Sequence, residues 1–148
     1  MNANTIKARE LLVNGAYTCV FCRGETVYTC KERGIIPLLA HVDAQTDLKG
    51  FSAADKVVGK AAALLYVLLG VTEINAQVLS DGAAAILNRY HIAFCAETQT
   101  AAIRNRAGTG YCPMEEAVRD MDTPTEALPA IRARLKQLHK TPPAAADR

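Results

Sequence analysis

The stretch Ser52-Ala-Ala-Asp-Lys-Val-Val-Gly-Lys-Ala-Ala-Ala-Leu-Leu-Tyr-Val-Leu-Leu-Gly70 lies mid-chain and decides how the rest is layered. Ser52 followed three positions later by Asp55 reads as an N-cap with its capping acid. That pair predicts a helix over 56–69, ended by Gly70. Beyond Lys60 this helix has no polar stripe, so it must be covered on most of its sides. A helix covered in this way needs a sheet or other helices around it, and the flanking sequence supplies both.

Upstream, Asn4 or Thr5 can cap a first helix with Ile6, Leu11 and Leu12 inward, stopped by Gly15. Residues Ala16–Cys22 and Thr26–Cys30 are two β-rich runs around Arg23-Gly24-Glu25, the pattern of an antiparallel hairpin. Gly34–Gln45 predicts a short helix with Pro37 in its first turn. Downstream, Val71–Leu79 fits a buried strand, and Ser80-Asp81-Gly82 caps a helix through Arg89. His91–Cys95 and Thr100–Arg104 read as two further strands. Cys112-Pro113 opens a helix, and an amphipathic helix spans 125–138, perturbed by Pro129. The order is helix, hairpin, helix, strand, helix, strand, strand, helix, helix. It predicts an α/β protein with a mixed sheet and helices on both faces.

At 148 residues the chain is sized for a single domain, read over 1–140 with a disordered tail at 141–148. Half of it is apolar, yet only 5% is aromatic, Trp is absent and 26 residues are Ala. Small side chains let layers approach closely. The net charge of +2, without a basic run, gives no reason to expect a nucleic-acid or membrane partner. The first residues lack a secretory apolar run, and Ala61–Leu69 is too short to span a bilayer. The expectation is a cytoplasmic protein whose five cysteines are reduced.

Ligands of such sheets collect at the carboxyl ends of strands, beside helix N-termini. Lys56 and Lys60, four apart on the predicted helix, oppose its macrodipole, and an anionic ligand would relieve that penalty. The competing reading has both lysines reaching solvent, with Asp55 as cap or as partner of Lys60. Gly59 inside a helix costs roughly 1 kcal/mol against Ala, which suggests that a neighbouring backbone or a ligand packs closely there. Ser80 and Asp81 serve as a plain cap or as site residues at a strand's end. Asn105 belongs to the most polar, glycine-rich stretch, which runs on to Cys112 and Glu115. Cys112 near a helix start is a candidate thiolate, with Glu115 as cap or as acid and base.

Other signals are bland. Cys19-Val-Phe-Cys22 has a metal-like spacing, but on a strand its two thiols point to opposite faces. No second such pair exists, and the three histidines show no ligand spacing, so no metal or cofactor is expected. The common phosphate-binding and hydrolase motifs are absent.

Asp55-Lys-Val-Val-Gly-Lys-Ala-Ala62 and Ile103-Arg-Asn-Arg-Ala-Gly-Thr-Gly-Tyr-Cys-Pro-Met-Glu115 together resemble the DUF1893 family over about residues 5–122. The resemblance implies a cytidine-deaminase-like fold, a three-layer α/β/α sandwich on a five-stranded sheet that opens with a hairpin. Zinc deaminases carry His-Ala-Glu and Pro-Cys-x-x-Cys at two buried helix starts. The starts matched to these here, Gly59-Lys60-Ala61-Ala62 and Ser80-Asp81-Gly82-Ala83, hold neither the ligands nor the glutamate. Zinc-dependent deamination is therefore not expected.

Three functions remain open. The first is a pocket for a small anionic or nucleotide-like ligand lined by Asp55, Lys56, Gly59, Lys60, Ser80, Asp81 and Asn105, with Cys112 and Glu115. The second is a metal-independent enzyme with Cys112 as nucleophile and Glu115, Asp55 or Lys60 moving protons. The third is a non-catalytic interaction module, possible as a homo-oligomer through its Ala-rich helices.

Overall fold

The computed structural model describes residues 1–105, 108, 110 and 112–139. The tail expected to be disordered at 141–148 lies outside these residues. Eleven elements follow one another among the described residues. They are α1 (Ala3–Asn14), β1 (Cys19–Arg23), β2 (Thr26–Cys30), α2 (Ile36–Ala44), β3 (Ser52–Val58) and α3 (Lys60–Leu69), then β4 (Glu73–Ser80), α4 (Asp81–Arg89), β5 (Ala93–Thr100), α5 (Pro113–Ala117) and α6 (Pro124–His139).

The strands form one mixed sheet in the order β2-β1-β3-β4-β5. The hairpin forms as expected, in a register that sets Cys19 against Cys30 and Arg23 against Thr26. Gly24, at φ 60°, supplies the left-handed turn. β1 pairs antiparallel with β3, whereas β3, β4 and β5 run parallel.

The main correction concerns Ser52–Val58, which is a strand and not a helix start. Its first four residues are buried, as a central strand covered on both faces requires. Alanines at 53 and 54 have high helix propensity, but here their small size lets helices pack close above and below the sheet. Lys56 therefore lies on a strand and shares no helical face with Lys60. The helix begins at Lys60, behind an extended Gly59 N-cap. At the far edge β5 runs on to Thr100, and Arg104 makes only an isolated bridge, so 100–104 is not a separate strand. The sheet thus reaches five strands through β3.

α1 is capped by Asn2, whose side chain accepts from the Thr5 N–H, rather than by Asn4 or Thr5. Its buried face is Thr5, Ala8 and Leu12, while Ile6 stays 38% exposed. Thr5, Asn2 and Ser52 share a hydrogen-bonded junction with Glu73, which anchors the start of α1 to β3 and β4.

Two apolar layers result. α1 packs Ala8 and Leu12 on Val20, Cys22 and Ala54 of one sheet face. The larger core lies on the other face, where α2, α3 and α4 cover Phe21, Ala53, Ile74 and Leu79. This is a three-layer α/β/α sandwich. α6 lays Ala127 and Ile131 against the larger core and packs with α5 and α3. Cys19 faces the larger core and Cys22 the smaller, on opposite sides of β1. No helix among the described residues is long and apolar enough to cross a membrane.

Candidate functional site

A cavity of about 370 Å³ opens where α2 and α3 begin. Small-molecule pockets typically run from roughly 300 to 1,000 Å³ and are mostly apolar with a few placed polar groups. The walls fit that description. Ile35 and Ile36 come from the start of α2, Ala61 and Ala62 from the first turn of α3, and Leu135 and Leu138 from α6. Ile103, Asn105, Cys112, Met114 and Glu115 close another side, and the exposed Arg33 and Arg104 edge it.

Gly59, Ala61 and Ala62 therefore share one space with Ile103, Asn105, Cys112 and Glu115. Glu115 makes the direct link. Its Oε2 accepts from the Ala61 N–H at 3.2 Å, so a side chain of α5 occupies one of the orphan donors at the start of α3. Gly59 is what makes room. A Cβ there would stand 2.6 Å from the Glu115 carboxyl carbon and from both its oxygens. The neighbour at Gly59 is the Glu115 side chain, neither a backbone segment nor a ligand, and Gly59 is an N-cap rather than a helix-interior residue.

Of the residues expected at the site, Gly59, Asn105, Cys112 and Glu115 line the cavity. Cys112 is the N-cap of α5, a helix of five residues, and its N–H donates to the Ile103 carbonyl at 2.9 Å. The Asn105 N–H donates to the Gly110 carbonyl at 2.9 Å. Arg106, Ala107, Thr109 and Tyr111 of that stretch lie outside the described residues.

The remaining five residues do not line the cavity. Lys60 turns to the α5–α6 connection, where Nζ donates to the Arg119 carbonyl at 2.9 Å and pairs with Asp122 at 3.2 Å. Its stem lies over Gly82, and its side chain is 14% exposed. The lysine thus clasps α3 to the segment before α6. Lys56 is exposed. Ser80 is a buried N-cap accepting from the Ala83 N–H at 3.0 Å, and Asp81 accepts from Gln99 Nε2 at 2.8 Å. Ser80 is thus a cap, whereas Asp81 ties the first turn of α4 to β5.

Asp55 sits in a buried network of its own. Its Oδ2 accepts from the Tyr66 hydroxyl at 2.7 Å, and that hydroxyl also lies 3.4 Å from Cys19 Sγ. Burial pushes the Asp55 carboxyl up to about 7, against hydrogen bonds from Tyr66, Val57 and Lys56 that favour the charged form. Burial likewise raises the Cys19 thiol and the Tyr66 phenol, with the Asp55 charge adding to both. A thiol so raised is a poor nucleophile at neutral pH.

Among the described residues no group of three or more His, Cys, Asp and Glu side chains could hold a metal ion. The starts of α2, α3 and α5 lie at the cavity, whereas Ser80 and Asp81 at the start of α4 do not line it.

A family model described as a domain of unknown function, DUF1893, matches residues 7–135. The chain belongs to the DUF1893 family. A crystal structure of a DUF1893 family protein from Thermotoga maritima is 26% identical. It aligns with a TM-score of 0.81 over 93% of this chain and 92% of its own. No curated protein matches. Within this DUF1893 chain the matched span takes in β3, α3, α5 and the α6 face through Leu135, so it includes most of the cavity wall.

Sequence reasoning misses Arg33, Ile35, Ile36, Leu135 and Leu138. Arg33 carries a usable signal, because Arg33-Gly34 precedes a helix bearing Pro37 and so lies beside a helix start. The two leucines carry none. They are ordinary members of an amphipathic stripe, and only tertiary packing brings them to the wall.

Proposed function

We propose that this protein binds a small anionic or nucleotide-like molecule in the cavity, on a deaminase-like scaffold that works without zinc ligands. The observation that carries this reading is an apolar cavity edged by Arg33 and Arg104, where Gly59, Ala61 and Ala62 meet Ile103, Cys112 and Glu115. Arginine offers a planar, permanently charged fork suited to phosphate or carboxylate. The anion goes to this rim and not to the start of α3, where Glu115 already supplies a negative group. Five free cysteines fit work in a reducing cytoplasm.

Thermal unfolding with a panel of nucleoside monophosphates and the matching nucleosides tests the reading. At least one monophosphate should raise the melting temperature more than its nucleoside, since a ligand of the folded state stabilises by mass action. Arg33→Ala should weaken that binding roughly tenfold, as expected on losing a charge-assisted contact. If no monophosphate shifts the wild type, the reading fails.

A second reading, Cys112 as a nucleophile, draws on its place in the cavity wall. It requires Cys112 to be alkylated faster at neutral pH than the exposed Cys95, as peptide mapping would report. Slower labelling of Cys112 excludes it.

A further inference from the structure

We propose that Cys30 and Cys19 form a dithiol that a hydroperoxide oxidises to a disulfide, Cys30 reacting first and Cys19 closing the bond. The site lies outside the cavity and does not depend on what the cavity holds. The strand register sets Cys30 of β2, Cys19 of β1 and Asp55 of β3 in one row across the sheet. Both thiols pack into the larger core, so they share a face. Directly opposite residues of an antiparallel pair have Cα atoms roughly 4.5 or 5.5 Å apart, and a disulfide spans either distance. Cys22 faces the smaller core and stands opposite Val27, not a thiol.

The two thiols differ in their surroundings. Cys30 is half-buried, and its sulfur accepts from the Glu32 N–H at 3.3 Å, with the Glu32 carboxylate 4.0 Å away. A small peroxide meets this sulfur first, because Cys19 is only 2% exposed. Cys19 is instead tied to a proton acceptor. The Tyr66 hydroxyl gives its one hydrogen to Asp55 Oδ2 at 2.7 Å, so its oxygen is the acceptor facing Cys19 Sγ at 3.4 Å. Burial disfavours the Cys19 thiolate, and this route lets the thiol shed its proton as it attacks. The row also holds the two sulfurs at high effective concentration.

In the first step an S–O bond forms at Cys30 as the O–O bond of the peroxide breaks. Cys30 is oxidised to a sulfenic acid, and the reduced peroxide leaves as water or an alcohol with the thiol proton. In the second step Cys19 Sγ attacks Cys30 Sγ, so the S–S bond forms and the S–O bond breaks. Hydroxide leaves and takes a proton from solvent, while the Cys19 proton passes through the Tyr66 hydroxyl to Asp55. A thiol reductant reverses the pair, as for the transient, redox-sensing disulfides of reducing compartments.

Treating the full chain with hydrogen peroxide, with and without the sulfenic-acid trap dimedone, tests the proposal through unreduced, fragmented cysteine peptides. Wild type should yield a Cys19–Cys30 crosslink that dithiothreitol reverses. Cys19→Ser should lose the crosslink and carry dimedone at Cys30. Asp55→Asn keeps an acceptor for the Tyr66 hydroxyl but takes up no proton. It should close the disulfide roughly tenfold or more slowly, with more trapped sulfenic acid at Cys30. The wild-type map decides the pairing even if a variant fails to fold. Oxidation that stops at the exposed Cys95 and leaves Cys19 and Cys30 as thiols overturns the proposal. So does a crosslink from Cys30 to any other cysteine. Closure unmoved by Asp55→Asn overturns the proton route through Tyr66.

Discussion

Asp55 should make the wild type lose stability between about pH 4 and pH 7, and in the Asp55→Asn variant that loss should disappear. The buried carboxyl has its pKa pushed up to about 7 by desolvation, while in the unfolded chain it titrates near 3.8. Across that window the folded state holds a proton that the unfolded state has released, so raising the pH favours unfolding. The loss begins as pH rises past the unfolded value and is complete above the folded one. A gap of about three units corresponds to roughly 4 kcal/mol at most.

Asn is neutral and nearly isosteric, and its oxygen can still accept from the Tyr66 hydroxyl that now lies 2.7 Å from Oδ2. Other groups titrate in the same range. Burial of Glu73 works against its charge, but hydrogen bonds from Thr5 and the Asn2 N–H more than compensate and hold it low. Its contribution is therefore present at higher pH and lost on acidification, opposite in sign to that of Asp55. Both proteins share it, so urea unfolding from pH 4 to pH 8 should be read as the difference between them. A difference curve that stays flat would show that Asp55 is not buried as described.

The same residue shows why the sequence is only partly legible. Ser52 and Asp55 satisfy the chemistry of a helix cap, and the alanines between them favour a helix. Local signals therefore agree on an element that does not form. What decides the matter is non-local. β1 pairs on one side of Ser52–Val58 and β4 on the other, and only small side chains leave room for α1 and α3 across a central strand. Where local chemistry and tertiary demand coincide, as at Gly24, Ser80, Gly70 and Pro113, expectation and structure agree.

The candidate site divides along similar lines. Gly59 stands out in the sequence through its cost in a helix, and the structure supplies the reason, although it is a cap. Glu115 reads as a cap or catalytic group of its own helix, whereas it caps α3. That role depends on an approach between residues far apart in sequence, which spacing along one helix does not report. Lys60 draws notice as a lysine in an apolar helix, and the partner the sequence offers nearby is Asp55. Its partners, the Arg119 carbonyl and Asp122, come from much further along the chain.

Ile131→Ala should cost about 2–5 kcal/mol in urea unfolding, the usual range for emptying a fully buried aliphatic position. α6 holds to the body through Ala127, Ile131, Leu135 and Leu138, a stripe at helical spacing in which Ala127 and Ile131 are fully buried. Its polar ties are weaker. Arg132 pairs with Asp43 at 2.5 Å, but both side chains are nearly half exposed, and such pairs contribute about 0–1 kcal/mol. Arg132→Ala should therefore change stability little.

Ile131→Ala should also reach the cavity, because Leu135 and Leu138 on the same stripe form part of its wall. Leu12→Ala separates that local effect from general loosening. Leu12 is 1% exposed and belongs to the smaller core under α1, across the sheet from the cavity. Both variants lose stability, but only Ile131→Ala should weaken ligand binding when the two are compared under conditions where each is folded. Equal binding by the two variants would mean that α6 does not shape the site.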